Sequence, residues 1–274
     1  MPYTTTNYSL VDELHLFPET SKRVFFAFDV PFIRKDPGID ILVAFACEPE
    51  EIFRGRDVFI QNHRNYDLLL THDEEILKAC PNARLCIYGT TWIPQSVYEN
   101  IDVSRKQRKI SCLTGSKEFT RAHTYRKFLY ANQLNIPLPI TWFRSGAGDL
   151  LPAYQHNPII ASGRLDGKVD LFLDFQFSLV IENSRQRHYF TEKLMDCLLT
   201  KTLPIYYGCP NIAEYFDTRG WIILETTDMN ELIAKASSLP TYEDFAEVIE
   251  HNHRDAMKYK TLAVNIQRAM NLGV

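Results

Sequence analysis

The stretch 177–210, FSLVIENSRQRHYFTEKLMDCLLTKTLPIYYGCP, constrains the fold more than any other part of the chain. Residues 177–181 are a near-continuous apolar run, which suits a strand buried on both faces. Residues 182–190 are polar and aromatic and suit a loop. Residues 191–201 read as a helix: Thr191 is a good N-cap, and Leu194, Cys197 and Leu198 recur on one face. Residues 203–207 then form a second strand, closed by Gly208 and Pro210. The unit is strand–helix–strand, with a charged loop at the carboxyl end of its first strand. Open parallel sheets bind ligands at that end.

The remainder of the chain repeats this alternation. Strands are expected at 23–28, 39–46, 67–71, 84–88 and 109–113, with an acidic helix at 72–80 and a cation-rich helix at 117–135. Beyond NIPLP at 135–139 follow a strand at 140–143, a turn at 145–148 and a loop-rich stretch at 150–170. A further strand is expected at 221–224, with helices at 230–239, 242–258 and 260–271. Alternating strands and helices imply parallel α/β sheets. At 274 residues the chain has room for two domains of ordinary size. The two prolines of NIPLP place the boundary so that 1–136 and 137–274 form two α/β domains facing a cleft, the last helix packing back on the first.

The formal net charge of −4 provides no global basic field for nucleic acid or an anionic membrane. No apolar run is long enough to span a bilayer, and the N-terminus lacks the basic start and apolar middle of a signal peptide. Six scattered cysteines form no CxxC pair, which points to a reducing compartment without a disulfide framework. The expected setting is cytoplasmic or peripheral to a membrane, in a bacterium or virus, although an ectodomain trimmed of its anchor has the same N-terminal character.

Glu192 and Lys193 fall in the first turn of the helix expected at 191–201. Free N–H groups and the positive end of the helix dipole make that end an anion site, to which Lys193 adds a full charge. A carboxylate beside it can accept hydrogen bonds from sugar hydroxyls, so the pair suits a nucleoside diphosphate. The plainer reading stands beside it: Glu in a first turn serves the dipole, and Lys is solvated. Asn183 and Ser184 are either turn residues or ligand contacts. Tyr189 either faces a ligand or packs, and Phe190 suits a hydrophobic staple.

The order Glu-Asn-Ser, aromatic pair, Thr-Glu-Lys-Leu and Pro-Ile-Tyr-Tyr-Gly-Cys-Pro, spanning about 175–216, resembles the donor-binding signature of the α1,3/α1,4-fucosyltransferases. That family is inverting and of GT-B fold. The resemblance implies a donor site for GDP-fucose built from Glu182, Asn183, Ser184, Tyr189, Glu192 and Lys193. It also implies an Arg on the helix closing the first domain, reaching across to the diphosphate. RKFLYANQ assigns that role to Arg126, with Arg121 as competitor. The family's general base is a Glu at a strand end of the first domain, here Glu48 in AFACEPEEI, with Asp29 and Asp73 as runners-up.

No His/Cys/Asp cluster has metal-ligand spacing and no DxD motif is present, so a metal-independent reaction without a cofactor is expected. The expected partners are a sugar nucleotide and a glycan acceptor. Two other functions fit the pattern: an exostosin-like transferase using a UDP-sugar, and a catalytically silent glycan-binding protein on the same fold.

Overall fold

The structure, a computed structural model, describes residues 2–145, 157, 159–160 and 166–272. Most of the turn expected at 145–148 and most of the loop-rich stretch 150–170 lie outside the described residues; Ser145 is the last residue of a strand. The chain forms two compact units. The first takes the chain up to Thr90, then Gln186–Tyr189, then the chain from Lys258; the second takes Thr91–Arg185 and Phe190–Met257.

The first unit holds a five-stranded parallel sheet whose spatial order follows the sequence. Its strands are β1 (Tyr3–Thr5), β2 (Val24–Phe28), β3 (Ile41–Ala46), β4 (Leu68–Thr71) and β5 (Ala83–Leu85). Helices α1 (Tyr8–Val11), α2 (Arg56–Asn62) and α3 (Glu74–Ala79) connect them. Strand β3 reads ILVAFA because both faces are covered. Val43 and Phe45 pack on one side with Phe26, and Leu42 and Ala44 pack on the other with Phe59 and Ile76. Helix α3 starts where it does because the Asp73 carboxylate accepts hydrogen bonds from the N–H groups of Glu75 and Ile76.

The second unit contains α4 (Gln95–Tyr98), β6 (Gln107–Thr114), α5 (Arg121–Ala131), β7 (Ile140–Ser145), β8 (Ile159–Ile160) and β9 (Phe175–Ile181). It continues with α6 (Glu192–Leu199), β10 (Leu203–Tyr207), β11 (Ile222–Ile223), α7 (Met229–Ala236) and α8 (Ala246–Ala256). Its six strands are parallel, in the order β11-β10-β9-β6-β7-β8. Every residue of β9 and β10 is buried, which accounts for the near-continuous apolar runs of the opening stretch. Helix α6 buries Leu194, Met195, Cys197, Leu198 and Leu199. Each such leucine stabilises the unit by about 1.5–3 kcal/mol relative to exposure.

The last helix, α9 (Leu262–Ala269), belongs to the first unit, where Leu262, Ala263 and Ile266 join the core of Phe26 and Phe45.

The division between units differs from the expected one at 136/137. Strand β6 pairs with β9, Ile110 opposite Phe177 and Cys112 opposite Leu179, so β6 and α5 are part of the second sheet. The chain passes into the second unit at Thr91. The prolines at 137 and 139 mark only the connection from α5 to β7, which stays inside one unit. Two element ends also move. The strand expected at 84–88 is three residues at Ala83–Leu85. The helix expected from 117 begins at Arg121, because the Thr120 hydroxyl accepts from the N–H of His123 and sets the cap.

Candidate functional site

In the second sheet β6, β7 and β8 run outward to one side, and β9, β10 and β11 to the other. The order reverses between β6 and β9. Ligands of open parallel sheets sit at such a switch point, beyond the carboxyl ends of the strands. Strand β9 delivers Glu182 and Asn183 there, and helix α6 begins nine residues later at Glu192.

Glu182 is fully buried. Its Oε1 accepts from the Thr191 N–H at 2.8 Å and its Oε2 from the Thr191 hydroxyl at 2.7 Å. The strand end and the helix start are thereby tied together through one carboxylate. Burial raises the pKa of Glu182, and the charge of Lys193 opposes that rise. The Lys193 ammonium donates to Thr191 Oγ1 at 3.2 Å and to Glu192 Oε1 at 3.1 Å, and stands 3.9 Å from Glu182 Oε2. Burial acts to raise the pKa of Glu192 as well. There the charges of Lys193 and Lys168 win and hold it well below the usual carboxylate range.

Gly208 closes the far side of Glu182. A Cβ there would meet the Tyr206 hydroxyl and approach Glu182 Cγ to 2.7 Å, while the same hydroxyl accepts from the Cys209 N–H. Gly208→Ala is expected to cost about 1–3 kcal/mol through overpacking. Chemical denaturation of the purified variant checks this; an unchanged midpoint would show that the Tyr206 ring moves aside freely.

Helix α5 supplies cations to the same strand ends. Arg126 donates to the Ile181 carbonyl at 2.8 Å and to Asn183 Oδ1 at 2.9 Å. The Thr120 hydroxyl donates to the Asn183 carbonyl at 2.5 Å, so Asn183 is held at both ends. Burial, then the charges of Arg126, Lys193 and Lys117, pull His123 down to about 4. Burial is the larger cause, and the neighbouring cations add to it. Arg121, exposed in the first turn of α5, donates through Nε to Thr227 Oγ1 at 2.7 Å.

The structure therefore brings Glu182, Asn183, Ser184, Glu192, Lys193 and Arg126 into one unit, with Ser184 buried. Two expectations change. Arg126 does not sit on a helix of the first unit; it belongs to the second, where its guanidinium holds the exit of β9. Tyr189 is buried in the first unit, its ring 5.0 Å from that of His72. Gln186 and Arg187 anchor the same four-residue segment there, on Asp73 and Glu74. Phe190 packs on Tyr215 and Phe216, at 5.1 and 5.6 Å between ring centroids.

In the first unit Glu48 is exposed at the carboxyl end of β3. It shares a small pocket with Glu50, Arg56, Thr71 and Asp73. The runners-up are committed to structure. Asp29 accepts from the N–H groups of Cys47 and Glu48 at 2.9 and 3.2 Å, and Asp73 both caps α3 and pairs with Arg56 at 2.7 Å. His72 is buried, and burial pulls it down to about 4. Among the described residues no group of three or more His, Cys, Asp or Glu side chains is arranged to hold a metal, and no helix is long and apolar enough to cross a membrane.

Sequence reasoning missed Lys168, Asp196, Thr91 and Trp92. Asp196 carried a signal, since a lone carboxylate among Leu194, Met195, Cys197 and Leu198 has to find a buried partner. Lys168 carried none, standing in a stretch without periodicity.

A family model described as glycosyltransferase family 10 (fucosyltransferase), C-terminal, matches residues 104–248, more than half of the chain. The chain belongs to glycosyltransferase family 10. Among curated relatives, an alpha-(1,3)-fucosyltransferase of Helicobacter pylori is 28% identical over 78 residues, which is 28% of this chain and 16% of that protein. A GDP-fucose protein O-fucosyltransferase 3 of Bos taurus is 36% identical over 74 residues, 27% of this chain and 15% of that protein. The aligned stretch is thus about a sixth of each relative's length.

Solved structures extend the likeness across the fold. An alpha1,3-fucosyltransferase crystallised with GDP-fucose superposes over 93% of this chain and 80% of its own, with TM-score 0.50 and 14% identity. An alpha,alpha-trehalose 6-phosphate synthase of Burkholderia multivorans superposes over 96% and 73%, with TM-score 0.59 and 10% identity. The family 10 chain therefore has the fold class of GT-B glycosyltransferases, with two parallel-sheet α/β units. The matched region includes the whole Glu182–Lys193 site.

Proposed function

We propose that this chain is an inverting fucosyltransferase that takes GDP-fucose as donor and a glycan hydroxyl as acceptor, without a metal. The observation that carries the reading is Lys193 at the start of α6, flanked by Glu182 and Glu192, at the switch point of a sheet within the family 10 match. A nucleoside diphosphate leaving group needs positive charge that does not have to reorganise during reaction. Lys193 and the N-terminus of α6 supply it. Arg126 is the second cation of this reading, standing at the end of β9 where it donates to Ile181 and Asn183, with Arg121 in the first turn of the same helix as its competitor. Glu192 accepts hydrogen bonds from donor hydroxyls.

Glu48 is the general base of this reading. Its carboxylate takes the proton of the acceptor hydroxyl. The acceptor oxygen forms a bond to the anomeric carbon from the face opposite the diphosphate. The bond from that carbon to the phosphate oxygen breaks, and its electron pair leaves with GDP. One displacement inverts the anomeric centre.

Titration calorimetry against GDP-fucose, GDP-mannose and UDP-sugars tests the donor. GDP-fucose is expected to bind and to raise the melting temperature, since a ligand that binds only the folded state stabilises it. A response to UDP-sugars alone would assign a different donor. Binding of glycans with no response to any sugar nucleotide would leave a silent glycan-binding protein.

A further inference from the structure

Lys168 is 6% exposed, and Asp196 has no exposure at all. A buried ammonium has to be paired, and the geometry shows with what. Lys168 Nζ lies 3.1 Å from Asp196 Oδ2 and 3.5 Å from Glu192 Oε1, and 4.3 Å above the centre of the Trp92 ring. The other oxygen of Asp196 accepts from the Thr91 hydroxyl at 2.7 Å and the Trp92 N–H at 2.9 Å. Burial opposes the charge on Lys168, but Asp196 and Glu192 outweigh it and keep its pKa above the ordinary value. Glu192 Oε1 thus sits between two ammonium groups. Lys193, on the accessible side, is 3.1 Å away; Lys168 is on the buried side.

The two lysines differ in what a donor does to them. A bound diphosphate draws Lys193 away from Glu192, because its phosphate oxygens compete for the same ammonium. Lys168 is buried and paired with Asp196, and keeps its place. We propose that the buried Lys168–Asp196 pair is the positioning device of the donor site, holding the Glu192 carboxylate ionised and oriented for donor hydroxyls once Lys193 has turned to the diphosphate. Thr91 and Trp92, the first residues of the second unit, fix the pair in turn through Asp196. This inference rests on the reading of Glu192 and Lys193 as donor-binding residues.

The test compares Lys168→Met, Lys168→Arg and Thr91→Val with the unaltered protein, using GDP-fucose as probe. Lys168→Met is expected to raise the KM for GDP-fucose about tenfold or more, with kcat changed far less. The groups facing Glu192 are then Lys193 and Thr191 on its own helix, with the carboxylates of Glu182 and Asp196 nearby. Its proton affinity rises when one of two cations is removed, so the acid limb of donor binding moves to higher pH. Lys168→Arg, which keeps the charge, is expected to restore most of both. A folded Lys168→Met protein with unaltered KM and acid limb overturns the proposal. If Lys168→Met does not fold, Thr91→Val decides: a KM raised several-fold at constant kcat supports the device, and an unchanged KM overturns it. Failure of the unaltered protein to bind GDP-fucose would instead sink the donor assignment, and this inference with it.

Discussion

Glu48→Gln is expected to lower turnover about 10²–10⁴-fold, the range that a positioned general base contributes, while donor affinity stays within about twofold. The amide preserves the shape of the side chain and cannot take a proton. The position is set from behind. Asp29 holds the Cys47 and Glu48 N–H groups on one oxygen, and accepts from the Cys47 thiol on the other at 2.9 Å. Asp29 does this from a left-handed backbone, φ 51°, which an aspartate adopts at some cost. That strain buys a fixed strand end, so the loss in Glu48→Gln should appear in kcat. Single-turnover kinetics with GDP-fucose and a responsive acceptor measures it. A loss below about threefold would move the base to another residue.

Lys193→Ala should reduce kcat/KM about 10²–10³-fold, the effect of deleting one preorganised donor to a developing negative charge. The variant should bind GDP much more weakly and guanosine almost as before, because only the first carries a diphosphate. Glu192 complicates the reading in a useful way: without Lys193 it keeps Lys168, so the site loses one charge and not two. Calorimetry with GDP and with guanosine separates the contributions. Equal weakening of both ligands would mean that Lys193 supports the site structurally.

The second sheet was largely legible because its central strands are buried on both faces. Such strands are written as apolar runs, and 177–181 and 203–207 agree with β9 and β10 to within two residues. Thr191 as a cap and Glu192–Lys193 in a first turn were equally readable, being local properties. Long-range facts were not. The pairing of β6 with β9 decides the unit boundary, yet nothing in a run of apolar residues names its neighbour, and two prolines between α5 and β7 gave a false cue. Arg126 and Tyr189 show the same limit at the level of side chains. Motif order selected both, but their partners, Asn183 and His72, depend on how distant strand ends meet.

The first unit is closed by a helix that is made only after the second unit. Its core pairs Phe26, Val43 and Phe45 with Leu262, Ala263 and Ile266 of α9. A ribosome finishes residues up to Thr90, then elongates through the whole second unit before α9 emerges. At ordinary speeds that interval is roughly ten to thirty seconds. Over that time one face of the nascent sheet has Leu10 and Phe17 but lacks the part of its cover that α9 supplies, while the second unit, most of it contiguous in the chain, can complete itself. The order of synthesis and the order of closure are opposed, so a nascent chain of this protein carries a partly uncovered N-terminal sheet face as its point of exposure to chaperones and to aggregation.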